Sequence, residues 1–139
     1  MSLYQKTETD VAKERDGVLF VFGKNSKKEN ITFTVAREGG RNVKYQSVAE
    51  VVFKPYRRAI QNNQIDPIEL DTLLAEVYAK AVVKGWSGVE DRENNELPFT
   101  QENVIKLLTD LPVVFDAIKE VARDYNQYLL EQQEADAKN

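Results

Sequence analysis

The stretch that decides the fold runs Val77-Tyr78-Ala79-Lys80-Ala81-Val82-Val83-Lys84-Gly85-Trp86-Ser87-Gly88-Val89 and, past a charged loop, Leu97-Pro98-Phe99-Thr100-Gln101-Glu102-Asn103-Val104-Ile105-Lys106-Leu107-Leu108. An apolar stripe at helical spacing leads up to Gly85, and the single tryptophan of the chain follows at once. This order predicts a helix ending near Lys84, with Gly85 in the left-handed conformation that glycine tolerates. A second helix opens at Thr100, whose hydroxyl is suited to cap the first free N–H groups, with Glu102 favourable in the first turn. Two helices clamped about a large anchor is the resulting picture. As an anchor Trp86 packs in the joint between Gly85 and Gly88, burying up to roughly 200 Å²; as a hot spot it stays partly exposed to receive a partner's side chain. Phe99, directly before the cap, is placed to staple onto Ile105 or nearby apolar residues.

Working backwards, Asp66-Pro67-Ile68-Glu69 has an N-cap carboxylate, a proline at the first helical position and a glutamate three residues after the cap, a strong helix start. Leu70, Leu73, Leu74, Val77, Tyr78 and Ala81 then form its apolar face. Val51, Val52, Tyr56, Ala59 and Ile60 also follow helical spacing. Pro55 within that run predicts either a kink or a fresh helix start, and Asn62-Asn63 closes the segment. Val18-Leu19-Phe20-Val21-Phe22 and Ile31-Thr32-Phe33-Thr34-Val35, joined by a polar turn, read as a hairpin with Ile31, Phe33 and Val35 on one face. Working forwards, Pro112 starts a last helix whose face is Val114, Phe115, Ile118, Val121, Ala122, Tyr125 and Leu129. The expected fold is mainly α within an α+β class, about four to five helices with a small N-terminal β-hairpin. Residues 1–16 are expected as a mobile or loosely docked arm, residues 17–130 as a single domain, and residues 131–139 as a frayed tail.

At 139 residues the chain can bury a sizeable core without staples. It has no cysteine and no histidine. Disulfides, thiolate metal sites, and triads or dyads built on either residue are therefore excluded. No apolar run approaches the ~20 residues a membrane span requires, so a cytoplasmic protein without a membrane partner is the default expectation. Counting Asp91 as the first position, Glu93, Asn95 and Glu102 match an oxygen-ligand calcium loop, but Glu96 stands where that loop needs glycine. The expected metal and cofactor content is none, and the expected activity is not enzymatic. The net charge of −4 hides a gradient: residues 1–45 hold nine Lys/Arg against six Asp/Glu, a net of +3, and residues 89–139 hold five against twelve, a net of −7. Such asymmetry can steer one copy's front toward another's back. The basic residues near the hairpin are interrupted by Glu29 and Glu38, so nucleic acid is not expected as a partner.

Four pieces in succession resemble the tail assembly chaperones of long-tailed, siphovirus-type bacteriophages: Asn42-Val43-Lys44-Tyr45, Lys54-Pro55-Tyr56-Arg57-Arg58, Tyr78 to Val89, and Leu97 to Leu108. They span about residues 42–125 with short gaps. Where such proteins tend to carry an Asp-Gly turn after the tryptophan, this chain has Asn94-Asn95-Glu96, and asparagine also tolerates left-handed geometry. The resemblance implies a protein that coats and solubilises the tape measure protein, helps recruit tail tube subunits, self-associates weakly into open oligomers, and works in the host cytoplasm without entering the mature virion. Trp86, Phe99, Tyr56, Arg57 and Arg58 are the candidate partner-binding residues on this reading. The alternatives are a permanent structural component of the head-tail junction or tail, or a small nucleic-acid-binding regulator.

Overall fold

A computed structural model describes residues 1–130; the expected fraying of residues 131–139 lies outside them. The element order is α1 (Leu3–Thr7), α2 (Val11–Asp16), β1 (Val18–Lys24), β2 (Asn30–Val35), α3 (Val43–Phe53), α4 (Arg57–Gln61), α5 (Pro67–Ala81), β3 (Val83–Ser87), α6 (Gln101–Asp110) and α7 (Pro112–Arg123). Single 3₁₀ turns at Lys54–Tyr56 and Tyr125–Tyr128 follow α3 and α7. The fold is α+β, mostly helical, as its periodicities predict. Four helices, α3, α5, α6 and α7, reach ten residues or more.

The helix starts obey their local chemistry. Asp66 accepts from the N–H of Ile68, with Pro67 in the first turn, and Thr100 accepts from the N–H of Asn103. Pro112 opens α7, with Leu111 alone between it and the end of α6. At Pro55 the chain resolves its conflict by tightening into the 3₁₀ turn between α3 and α4. Asn63 closes α4 at φ 53°.

One expectation is corrected. The helix over residues 67–81 stops three residues short of Lys84, and Val83-Lys84-Gly85-Trp86-Ser87 is a strand. It pairs antiparallel with β2, Phe33 facing Trp86 and Thr34 facing Gly85. The hairpin is therefore two strands of a three-stranded antiparallel sheet, ordered β1-β2-β3. Gly85 is not among the residues at positive φ, so it caps nothing. The β-branched pair Val82-Val83 leaves the helix because sheet pairing offers those residues a better-packed extended conformation.

The core lies between one face of this sheet and α5, α6 and α7. Phe33 and Val35 from β2 meet Ala75, Tyr78, Ala79 and Val82 from α5 and its end, Val104 and Leu108 from α6, and Phe115, Ile118 and Ala122 from α7. The Tyr78 and Phe115 rings meet edge to face at 5.2 Å. Tyr78 donates to Glu38 at 2.8 Å, and Arg123 grips the same carboxylate at 2.6 Å. Burial, then the charge of Glu38 and a hydrogen bond to it, push the neighbouring Tyr45 phenol up to about 12.

The first sixteen residues, expected as an arm, carry two short helices and several contacts with the body. The Asp10 N–H donates to the Tyr128 carbonyl at 2.7 Å, and the Leu130 N–H to the Glu8 carbonyl at 3.1 Å. Glu14 is fully buried. Its carboxylate accepts from the Thr9 hydroxyl (2.6 Å), the Arg37 guanidinium (2.7 Å) and the Arg41 N–H (3.1 Å). Gly40, at φ +55°, makes the space, since a Cβ there would overlap the Glu14 carboxylate. Burial pushes this carboxyl up, but the three donors and the Arg37 charge together hold it below the usual carboxylate range. Tyr128, also fully buried, donates to the Val35 carbonyl at 3.0 Å. Tyr125, expected on the core face of the last helix, is instead 40% exposed, because α7 ends at Arg123 and the 3₁₀ turn rotates Tyr128 inward in its place.

This packing bears on the charge gradient. The basic N-terminal part and the acidic C-terminal part fold against one another through α2 and the Tyr125–Tyr128 turn, α7 and β1, and the Glu38–Arg123 pair. The charge difference along the sequence is not by itself a separation between two ends of the molecule.

Candidate functional site

Strand β3 carries Trp86 out of α5 and sets it across from Phe33, the two rings meeting edge to face at 6.1 Å. The indole N–H donates to the Leu97 carbonyl at 2.9 Å. Phe99 closes on the other side, edge to face at 5.3 Å. Trp86 is half-buried and serves as the joint between sheet and loop; Phe99 stays 40% exposed.

The intervening loop is ordered by its own polar groups. Gly88 turns at φ +74°, where a Cβ would strike the Asn30 carbonyl. The Leu97 N–H returns to the Val89 carbonyl at 2.9 Å. Asp91 accepts from the N–H groups of Glu93 and Asn95, both at 2.9 Å, with Asn94 at the tip at φ 64°. The asparagine turn thus holds the geometry a glycine turn would give. Glu90 ties the loop to the β1–β2 turn by accepting from the Ser26 N–H (2.9 Å) and hydroxyl (2.7 Å). The Asp91 carboxylate is committed to this turn, and among the described residues no cluster of three acidic side chains is placed to hold a metal ion.

Between the loop and α6 lies a recess of about 350 Å³, with Leu97, Leu107 and Leu111 as its apolar lining and Glu90, Asp91, Arg92, Lys106 and Asp110 about it. Lys106 donates to Asp110 at 2.9 Å, and Arg92 lies 4.0 Å from the same carboxylate. The hydrogen bond from Lys106 is the main cause holding Asp110 below its usual range. Leu111 is 44% exposed at one end. An apolar floor with both signs of charge on the rim is the combination used where a helix is recognised in a groove. Trp86 shapes it at one remove, by fixing the carbonyl of Leu97.

The structure therefore brings together Trp86 and Phe99 and sets them beside this recess. Tyr56, Arg57 and Arg58 lie elsewhere, on the 3₁₀ turn and α4 that follow α3; Tyr56 is half-buried and both arginines are exposed. Leu107 and Leu111 escaped the sequence reading as site residues. Their i, i+4 spacing marked a core face, and nothing local says that the loop stops short of covering it.

A family model described as YdaY prophage protein matches residues 40–139, a span that holds α3 to α7, β3 and the whole recess. Comparison with curated proteins and with solved structures gives no match.

Proposed function

This chain belongs to the YdaY prophage protein family, and from that premise we propose that its phage-related role is that of a tail assembly chaperone. It holds the tape measure protein during tail morphogenesis, keeps it from aggregating, and helps recruit tail tube subunits. It works in the host cytoplasm, leaves before the tail is complete, and makes or breaks no covalent bond. The observation that carries this reading is the Leu97–Leu107–Leu111 recess with its paired rim charges. A long helical client offers the same apolar stripe many times over, so many weak copies add up to a coat that can still be removed. Two motif pieces of the resemblance support it too, since Leu97 to Leu108 supplies Leu97, Asn103, Lys106 and Leu107 of the recess and Tyr78 to Val89 carries Trp86, which holds the Leu97 carbonyl.

The test is co-expression with the tape measure protein of the same prophage. The full chain is expected to keep the client in the supernatant and to co-purify with it. Leu111→Glu, a charge placed on an exposed residue of the recess, is expected to lose both effects while unfolding at the parent temperature. A client that precipitates equally with and without the chain overturns the reading.

A further inference from the structure

No apolar side chain of residues 1–16 is buried; Leu3, Tyr4 and Val11 are 75%, 78% and 50% exposed. What holds this segment to the body is polar. The Asp10 N–H reaches the Tyr128 carbonyl at 2.7 Å, the Lys13 ammonium reaches the Leu129 carbonyl at 3.0 Å, and the Leu130 N–H reaches the Glu8 carbonyl at 3.1 Å. Three consecutive residues, 128–130, thus commit main-chain groups to the N-terminal segment. Its one buried side chain is Glu14. Around that residue Arg37 bonds twice, guanidinium to carboxylate at 2.7 Å and N–H to the Glu14 carbonyl at 2.9 Å, and the Arg41 N–H adds a bond at 3.1 Å. Gly17, at φ +102°, joins the segment to β1, which is paired with β2 from Val18 onward.

We propose that residues 1–16 are a strap that lets go of the body as one unit, with Glu14 as its latch, and that its release frees the main chain of residues 128–130. A segment attached without buried apolar contacts belongs to the low-stability end of a fold. The latch makes the step all-or-none: a carboxylate is stable in its socket with every donor or in water, but not buried without its cationic partner. The rest of the domain keeps its core, because none of the clustered core side chains comes from the strap, and Tyr128 keeps its own bond to the Val35 carbonyl. The two chain ends are thereby coupled, and the coupling is reciprocal. A ligand that takes residues 128–130 opens the strap, and one that takes the strap frees residues 128–130. The strap shares no residue with the Leu97–Leu107–Leu111 recess, and its release does not depend on the chaperone role.

Native-state hydrogen exchange of the full chain at neutral pH, read residue by residue by NMR, is the test. In the wild type the Asp10 and Leu130 amides are expected to share one opening equilibrium, roughly tenfold or more above the one that exposes the Val104 and Leu108 amides of α6, and indifferent to low denaturant because little surface is uncovered. Glu14→Gln is expected to speed exchange at Asp10 and Leu130 by roughly a hundredfold, with the α6 amides still the better protected. Asp16→Asn, which breaks only the exposed pair with Arg15, is expected to leave both rates as they are. Asp10 and Leu130 opening independently, opening only together with α6, or exchanging at the parent rate in Glu14→Gln each overturns the proposal, whatever becomes of client binding.

Discussion

Replacing Trp86 with Phe keeps an aromatic ring against Phe33 and Phe99 but removes the N–H that holds the Leu97 carbonyl. The expected loss is about 1 kcal/mol for the hydrogen bond, read by denaturant unfolding, together with weaker client binding. Glu14 makes a sharper case, because its carboxylate is buried among three donors. Its folded pKa is depressed, so the stability it supplies is present above its unfolded pKa of ~4.3 and is lost as pH falls through the folded value. Glu14→Gln is expected to cost about 3 kcal/mol near neutral pH, where it leaves the Arg37 charge without its partner, and to narrow that gap as the pH is lowered below ~4. A difference between the two proteins that stays constant from pH 7 into the acid range refutes this role. Nothing in the sequence flags Glu14: it sits in Lys13-Glu14-Arg15-Asp16, which reads as a solvated run, and its burial depends on Arg37 and on a left-handed turn at Gly40 far along the chain.

Among the elements, helix starts were legible and the third strand was not. Caps are local chemistry: Asp66 and Thr100 each bind N–H groups two or three residues ahead, so Thr100→Ala is expected to lose about 1 kcal/mol in thermal unfolding. β3 depends on a partner distant in sequence, and its Val-Lys-Gly-Trp-Ser run continues a helical stripe smoothly enough to hide the change. The two readings make opposite predictions at Gly85. A left-handed cap would be strained by Ala, whereas in the strand an added Cβ meets nothing nearer than the Thr34 hydroxyl at 3.9 Å. Gly85→Ala is therefore expected to unfold within about 0.5 kcal/mol of the parent. Gly88→Ala, at φ +74° with the Asn30 carbonyl in the way, is expected to lose more than ~1 kcal/mol.

For the whole molecule, the class and the long helices followed from periodicity; Trp86 packs as an anchor, but from a strand and not from a helix end, and Phe99 meets the Trp86 ring while staying 40% exposed. The recess was not visible, because a pattern tells which residues are apolar but not which of them the loop leaves uncovered. The reading of a basic front and an acidic back also changes in three dimensions, since the two parts are packed together. What remains is a small domain with an uncovered apolar recess, belonging to a prophage family. Calorimetric titration of the full chain with a helical fragment of the tape measure protein, at low and moderate salt, tests its assignment as a chaperone most directly. Saturable binding with a negative heat-capacity change, the mark of apolar burial, and its loss in Leu111→Glu are the predicted result; no binding at either salt concentration contradicts the account.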